Sequence, residues 1–219
     1  MSKNPPVRPK DAASLVIHRR EKGVFKVLMG RRGSKARFQP GVYVFPGGVL
    51  EGADYRAWPA KPLNKGQTSL MAVANSDSKA RALAMAAVRE AYEEAGLMCG
   101  IEGQLGDVRH PTWEIFRALG QAPDLSALKF IGRAITPAQQ PMRFHARFFA
   151  VAEEQLAGEI KGDGELEDLQ WIKIDQTADL KLMVVQQMIL KTLHEELLGE
   201  APKPQFLRVR GGKILIGDA

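Results

Sequence analysis

The chain has 219 residues, 45% apolar and 26% charged, with a formal net charge of +6 and an isoelectric point near 9.5. That length and balance suit one substantial soluble domain with its own buried core, and exclude a fibre or a wholly disordered polymer. The longer apolar runs, such as Ala82–Val88 and Phe148–Ala152, are far too short to span a bilayer, so no membrane partner is expected. A single cysteine, Cys99, excludes an internal disulfide and a cysteine metal cluster, and with the polar, proline-rich start it favours a cytoplasmic setting. The positive charge is scattered instead of gathered into an aromatic-studded tract, which favours small anions over nucleic acid.

Residues 1–11 read as a flexible leader. Ala13–Arg20 and Val24–Arg31 are β-rich runs joined at Glu21-Lys22-Gly23, a predicted hairpin. A basic loop, Arg31 to Arg37, leads to a third run, Val42–Phe45, which Pro46-Gly47-Gly48 should stop. Residues 55–77, with Pro59, Pro62 and Gly66, read as an inserted irregular loop. A helix is predicted over Ser78–Ala95, with Ser76, Asp77 and Ser78 available to cap its start and Gly96 to end it. A short helix follows at Trp113–Leu119. Strands are expected at Ala127–Ile135, Arg143–Ala152 and Leu169–Ile174, then an amphipathic helix at Asp179–Leu198 and a short hairpin around Gly211-Gly212. Mixed strands with helices beside them predict an α+β fold, an α-β-α sandwich around a mixed sheet.

The chemistry concentrates in Arg89-Glu90-Ala91-Tyr92-Glu93-Glu94-Ala95-Gly96-Leu97. On a helix Glu90, Glu93 and Glu94 stand at i, i+3 and i+4 and share one face, where their charges repel. A divalent cation with a taste for hard oxygen ligands, Mg²⁺ or Mn²⁺, would relieve that repulsion. Taken alone, the spacing is more often that of a solvated acidic face. Its surroundings change the reading. Upstream stands Phe45-Pro46-Gly47-Gly48, and five residues after Gly48 comes Asp54.

Together these halves resemble the signature of the Nudix hydrolases, a Gly, five residues, a Glu, seven residues, then Arg-Glu-apolar-x-Glu-Glu-x-Gly-apolar. The second half matches throughout, and Gly48 fits the opening glycine. Asp54 replaces the first Glu, and it is separated from Arg89 by 34 residues, 27 more than the pattern, an excess that coincides with the 55–77 loop. That departure puts a role for Asp54 in doubt and predicts an unusual wall or lid beside the site. The Nudix-like domain would cover 12–200, with 201–219 a C-terminal extension that either packs on the domain edge or pairs with a second subunit, leaving a homodimer open.

The resemblance implies hydrolysis of a diphosphate linkage in a small nucleotide-linked molecule, with Mg²⁺ or Mn²⁺ as cofactor. It makes Glu93 and Glu94 metal ligands, Glu90 a ligand or proton acceptor, the Gly48 carbonyl part of the coordination shell, and Arg89 the residue that orients carboxylates. An extra carboxylate is expected outside the signature, and Glu165 and Glu167 are the candidates. Among the basic residues, Arg32 and Arg37 could reach a second phosphate, and Arg143, in Pro141-Met142-Arg143-Phe144-His145-Ala146, is a third substrate-binding candidate. The inserted signature resembles a branch that includes coenzyme A diphosphatases, although the Asp-Thr pair expected after Arg143-Phe144 is replaced by His145-Ala146. His145, Trp113 and Trp171 are read as structural, and Cys99 as inert. Two alternatives stay open: a catalytically silent binding protein of this fold, and an RNA-directed enzyme of the same superfamily.

Overall fold

A computed structural model describes residues 7–35, 39–162, 164–177 and 179–219. Strands β1 (Lys10–Glu21) and β2 (Val24–Arg32) form the predicted antiparallel hairpin. Lys22 and Gly23 both take positive φ, 49° and 83°, the turn whose twist matches that of its flanking strands. β1 takes in the last two residues of the proposed leader. Its Lys10 and Asp11 are already paired, in parallel, with Phe144 and His145.

Tyr43–Val44 forms β3 against β2. β3 stops before Pro46-Gly47-Gly48 as expected, and Gly47–Val49 opens a separate short strand, β4, which pairs with Ala12–Ser14 of β1. The next strands are β5 (Gly100–Glu102) and β6 (Gln121–Pro123), a separate two-stranded sheet. β7 (Lys129–Ile135), β8 (Phe144–Ala152), β9 (Leu166–Lys173), β10 (Gln205–Arg210) and β11 (Lys213–Asp218) complete the main sheet. Its order is β11-β10-β7-β8-β1-β2-β3, with β9 paired to β2 and β4 to β1. β1 with β8 and β10 with β7 are parallel, the other pairs antiparallel.

The helices are α1 (Gly52–Arg56), α2 (Asp77–Ala95), α3 (Pro111–Ala118) and α4 (Val184–Leu197). Period-two alternation along the strands divides the core. Leu15, Ile17 and Leu28 join α2 and α3 on one face, while Val16, Val27 and Met29 join α4 on the other. This is the expected α-β-α sandwich. Among the described residues no helix is long and apolar enough to cross a membrane.

Two expectations change, and one alternative left open takes a definite form. The 55–77 segment is folded into the core: Ala57, Leu63, Met71 and Val73 are buried with α2, and a 3-10 turn spans Lys65–Met71. The buried Arg147 of β8 donates to the carbonyls of Met71 (3.1 Å) and Ala72 (3.3 Å), tying the insertion to the sheet. α4 starts at Val184 instead of Asp179, because the preceding loop is taken by another partner, with Tyr43 N–H donating to Lys181 O at 3.0 Å. The C-terminal hairpin packs on the domain edge, β10 pairing with β7 and leaving β11 outermost with Ile214, Leu215 and Ile216 exposed.

Candidate active site

α2 carries the three carboxylates because its sequence suits a long helix. Alanines at 80, 82, 84, 86, 87, 91 and 95, all buried, keep the helix slim enough to pack closely. Ser76 caps its start by accepting from Lys79 N, and Gly96 ends it at φ 71°.

Arg89 is the hub. Its guanidinium is 1% exposed and donates to both carboxylate oxygens of Asp54, Nε at 2.9 Å and Nη2 at 3.1 Å. Nη1 donates to Glu90 at 2.8 Å and to Glu93 at 3.0 Å, and Nη2 also reaches the Val49 carbonyl at 2.9 Å. Burial works against its charge, but the Asp54 hydrogen bonds and the charges of Asp54, Glu90 and Glu93 outweigh it and hold the guanidinium more firmly charged than usual. Asp54, fully buried, also accepts from Glu51 N at 2.9 Å and so caps α1. The residue left in doubt by the 34-residue gap is therefore the partner of Arg89. The five-residue spacing from Gly48 was its one sequence signal.

The three glutamates differ. Both oxygens of Glu93 are engaged, one by Arg89 and the other by the Thr112 hydroxyl from α3. His110 stands 4.0 Å from the same carboxylate. Neither Thr112 nor His110 has a signature in the sequence; only the packing of α3 on α2 brings them there. Glu94 is 3% exposed and accepts from Gly47 N at 2.7 Å. Burial pushes its carboxyl up to about 9, against the Gly47 hydrogen bond and with help from the charges of Glu90 and Glu165. Burial also lifts Glu90, to about 7, against the pull of Arg89. A Cβ at Gly48 would land on the Glu90 carboxylate, so any larger residue there would displace that group from its present position.

Glu90, Glu94 and the Gly47-Gly48 backbone floor a cavity of about 510 Å³, whose lining also includes Arg32 and Glu165 but not Glu93, predicted as a ligand, whose oxygens are held by Arg89 and Thr112. None of the residues lining it comes from 55–77, so the insertion is a core element and not the wall or lid that was expected. α4 and the C-terminal hairpin supply the far wall instead, through Val184, Leu207, Val209 and Ile214.

The remaining candidates separate cleanly. Arg32 lines the cavity, with Glu165 4.0 Å away. Glu167 does not line it; its carboxylate pairs with Arg31 at 3.1 Å on the surface. Arg143 is likewise displaced, donating to Thr136 O (3.1 Å) and Val7 O (2.6 Å) and so fastening the end of the β7–β8 pair. Arg37 lies outside the described residues. His145 is part-buried, its ring pushed down to about 3 by burial and by Arg147 and Arg133. Trp113 is fully buried, and Trp171 lies beneath the Arg19 guanidinium at 4.3 Å. Cys99 is buried with its thiol pushed up to about 12, as befits an inert core residue.

Among the described residues no three His, Cys, Asp or Glu side chains form a ready-made cation cage. That fits a small hard cation nonetheless. Mg²⁺ keeps several waters and takes one or two carboxylates, with substrate phosphates completing its shell. Glu90 and Glu94, packed against the Gly47-Gly48 backbone, are two carboxylates whose burial is costly without a counter-charge.

That cost has a readable consequence. In both groups the folded protein holds its proton above the pH at which the unfolded chain releases it, so folding binds protons and stability falls as pH rises from about 4.5 to about 9. Cation-free protein is expected to lose on the order of 3 kcal/mol between pH 5 and pH 8. Denaturant melts at the two pH values check this, and a flat profile would show that the carboxylates ionise without penalty.

No family model matches the chain. The sequence is 24% identical over 182 residues to nudix hydrolase 7 of Caenorhabditis elegans, covering 78% of this chain and 53% of that protein. The chain thus spans about half the length of its curated relative. A crystal structure of a Nudix hydrolase from Alicyclobacillus acidocaldarius superposes with a TM-score of 0.65 at 28% identity, over 84% of this chain and 90% of that one. The Nudix domain of Shewanella oneidensis NrtR, crystallised with ADP-ribose, shares the fold at a TM-score of 0.52 and 11% identity, over 87% and 90% of the two chains. Fold, interrupted signature and relatives converge: the chain has the Nudix fold, and it is similar in sequence and structure to Nudix hydrolases.

Proposed function

We propose that this protein hydrolyses a diphosphate linkage in a small nucleotide-linked substrate with the help of Mg²⁺ or Mn²⁺. The observation that carries the reading is the placement of Glu90, part-buried, and Glu94, buried, beside the Gly47-Gly48 backbone on the floor of one cavity. Nudix hydrolases use divalent metal ions. Bound at these carboxylates and the Gly48 carbonyl, such an ion would neutralise phosphate charge and make water more acidic.

The chain's own residues supply the rest. Arg89 fixes the rotamers of Glu90 and Glu93, and Thr112 fixes the other oxygen of Glu93. Arg32 is placed on the cavity wall to meet a phosphate oxygen. Water's oxygen joins one phosphorus, the bond from that phosphorus to the bridging oxygen breaks, and the bridging oxygen leaves with the second phosphoryl group. Two phosphomonoesters result, one of them a nucleoside monophosphate. Glu165 is our choice to accept the proton of the attacking water, because it lines the cavity and its charge reaches both Glu90 and Glu94.

Among the described residues Arg32 is the one basic side chain in the lining. That suits a compact substrate better than a nucleic-acid strand, which asks for several phosphate contacts. Coenzyme A, from the sequence resemblance, and ADP-ribose, from the company of the NrtR domain, are the first substrates to offer. The test measures phosphomonoester release from these and from NADH, dinucleoside polyphosphates, nucleoside triphosphates and capped RNA, with Mg²⁺, Mn²⁺ or EDTA. Cation-dependent cleavage of one compound supports the reading; folded protein silent on all of them with both metals would sink it.

The split between the two acidic candidates makes a sharper expectation. Glu165→Gln should lower kcat about 10²-fold, the usual scale for a general base, while Glu167→Gln, which loses only an exposed ion pair, should stay within about twofold. Equal losses in both variants would remove Glu165 from the proposed chemistry.

A further inference from the structure

The acidic floor occupies one end of the cavity, and the rest of its lining has a different character. Phe45 and Phe148 stand edge to face with ring centroids 6.3 Å apart, and Val184, Leu207, Val209 and Ile214 close around the same space. Among the polar side chains here, Gln39 and Gln140 are exposed, and Thr136 already accepts from Phe144 N at 3.0 Å. Gln186, in the first turn of α4, is the exception. It is 4% exposed, and among the described residues its Oε1 is buried with no hydrogen-bond partner.

An unpaired buried amide oxygen costs the folded protein about 1–3 kcal/mol. Such a cost is sensible where a ligand repays it. We infer that Gln186 is a specificity-determining residue, and that the apolar chamber it enters holds the purine base of the substrate with the 6-amino group donating to Gln186 Oε1. This rests on the proposed reading of a nucleoside diphosphate-linked substrate. With the phosphates at the floor, the base is the bulky neutral group that remains, and it matches the chamber in kind. Its faces are aromatic, suited to Phe45 and Phe148. Its amino edge must find an acceptor once it leaves water.

The chamber also gives the C-terminal hairpin a purpose. Leu207 and Val209 of β10 and Ile214 of β11 reach the cavity because β10 extends the sheet alongside β7. Specificity would therefore be set by residues far from the catalytic signature.

Binding without turnover tests the inference. Adenosine 5′-monophosphate and purine riboside 5′-monophosphate, which lacks only the 6-amino group, are titrated into the full chain with Mg²⁺ present. The wild type should prefer the amino compound about tenfold or more. Gln186→Met should bind the two alike, while its Tm stays level or rises, since the folded protein no longer buries an unpaired oxygen. Equal affinity of the wild type for both nucleotides, or no measurable binding of either, would overturn the assignment. So would a fall of more than about 5 °C in Tm for Gln186→Met, which would mark the amide as bonded within the protein. Hydrolysis is measured separately: a wild type that discriminates but cleaves nothing keeps this inference and loses the diphosphatase reading, and the reverse result does the opposite.

Discussion

Glu94→Gln should lose at least about 10³-fold in cation-dependent hydrolysis while making the cation-free protein more stable. The two effects have one cause. Glu94 is 3% exposed and its carboxyl is pushed up to about 9, so at pH 8 the folded chain must either hold a proton there or bury a charge. Glutamine does neither, and its amide oxygen can still accept from Gly47 N, now 2.7 Å from the carboxylate. A gain on the order of 2 kcal/mol is expected at pH 8, equivalent to about 4–8 °C in Tm for a chain of this size. Adding Mg²⁺ should reverse the order, because a cation that binds only the folded wild type stabilises that form by mass action. Activity and paired melts with and without Mg²⁺ are the measurements. A variant that keeps more than a tenth of wild-type activity would remove Glu94 from the cation site.

Arg89→Ala should be the most destabilising single change in the site, at about 3–5 kcal/mol. The guanidinium makes five hydrogen bonds, to both oxygens of Asp54, to Glu90, Glu93 and the Val49 carbonyl. Removing it leaves Asp54 charged and fully buried with Glu51 N as its remaining donor. Much of the loss should vanish in the Arg89→Ala, Asp54→Ala double variant, with a coupling of roughly 2 kcal/mol, since that chain no longer buries an unpaired charge. Arg89→Lys should retain part of the stability but little of the activity. A point charge cannot grip Asp54 with two bonds while directing Glu90 and Glu93. Denaturant melts of the four proteins complete the cycle. If the double variant is as unstable as the sum of the singles, Arg89 and Asp54 act independently and the pair is not the organising element.

Gly48 belongs to the same arrangement from the other side. β4 carries it alongside β1, and α2 packs on that strand, so Glu90 lies where a glycine Cβ would be. The geometry of the candidate site is thus a product of helix against strand, with Arg89 bonding to both through Val49 O and the glutamates.

Much of this was legible in the sequence. Helix α2, its Ser76 cap and its Gly96 end follow from local rules, because capping and helix propensity depend on neighbours within a few residues. The common face of Glu90, Glu93 and Glu94 follows from helical geometry alone, and the β1–β2 hairpin from alternation and a Lys-Gly turn. What failed was decided by contacts between distant segments. Asp54 meets Arg89 across 34 intervening residues because 55–77 folds away into the core, where Met71 and Val73 are buried. Spacing cannot show whether an insertion loops outward or packs inward. Glu165 and Glu167 look equivalent in the sequence, yet a shifted register between Met29 and Arg31, with Asp168 at φ 53°, leaves Glu167 on the surface with Arg31. Arg143 is taken by the Thr136 and Val7 carbonyls. The far wall of the cavity, with Gln186 from α4 and Leu207, Val209 and Ile214 from the final hairpin, exists only because β10 docks on β7. The sequence by itself determined the shared carboxylate face and the glycine turn proposed to hold a cation, since both lie within one helix and one short loop. The tertiary structure decided which residues line the cavity, because that depends on which distant segments the sheet brings together.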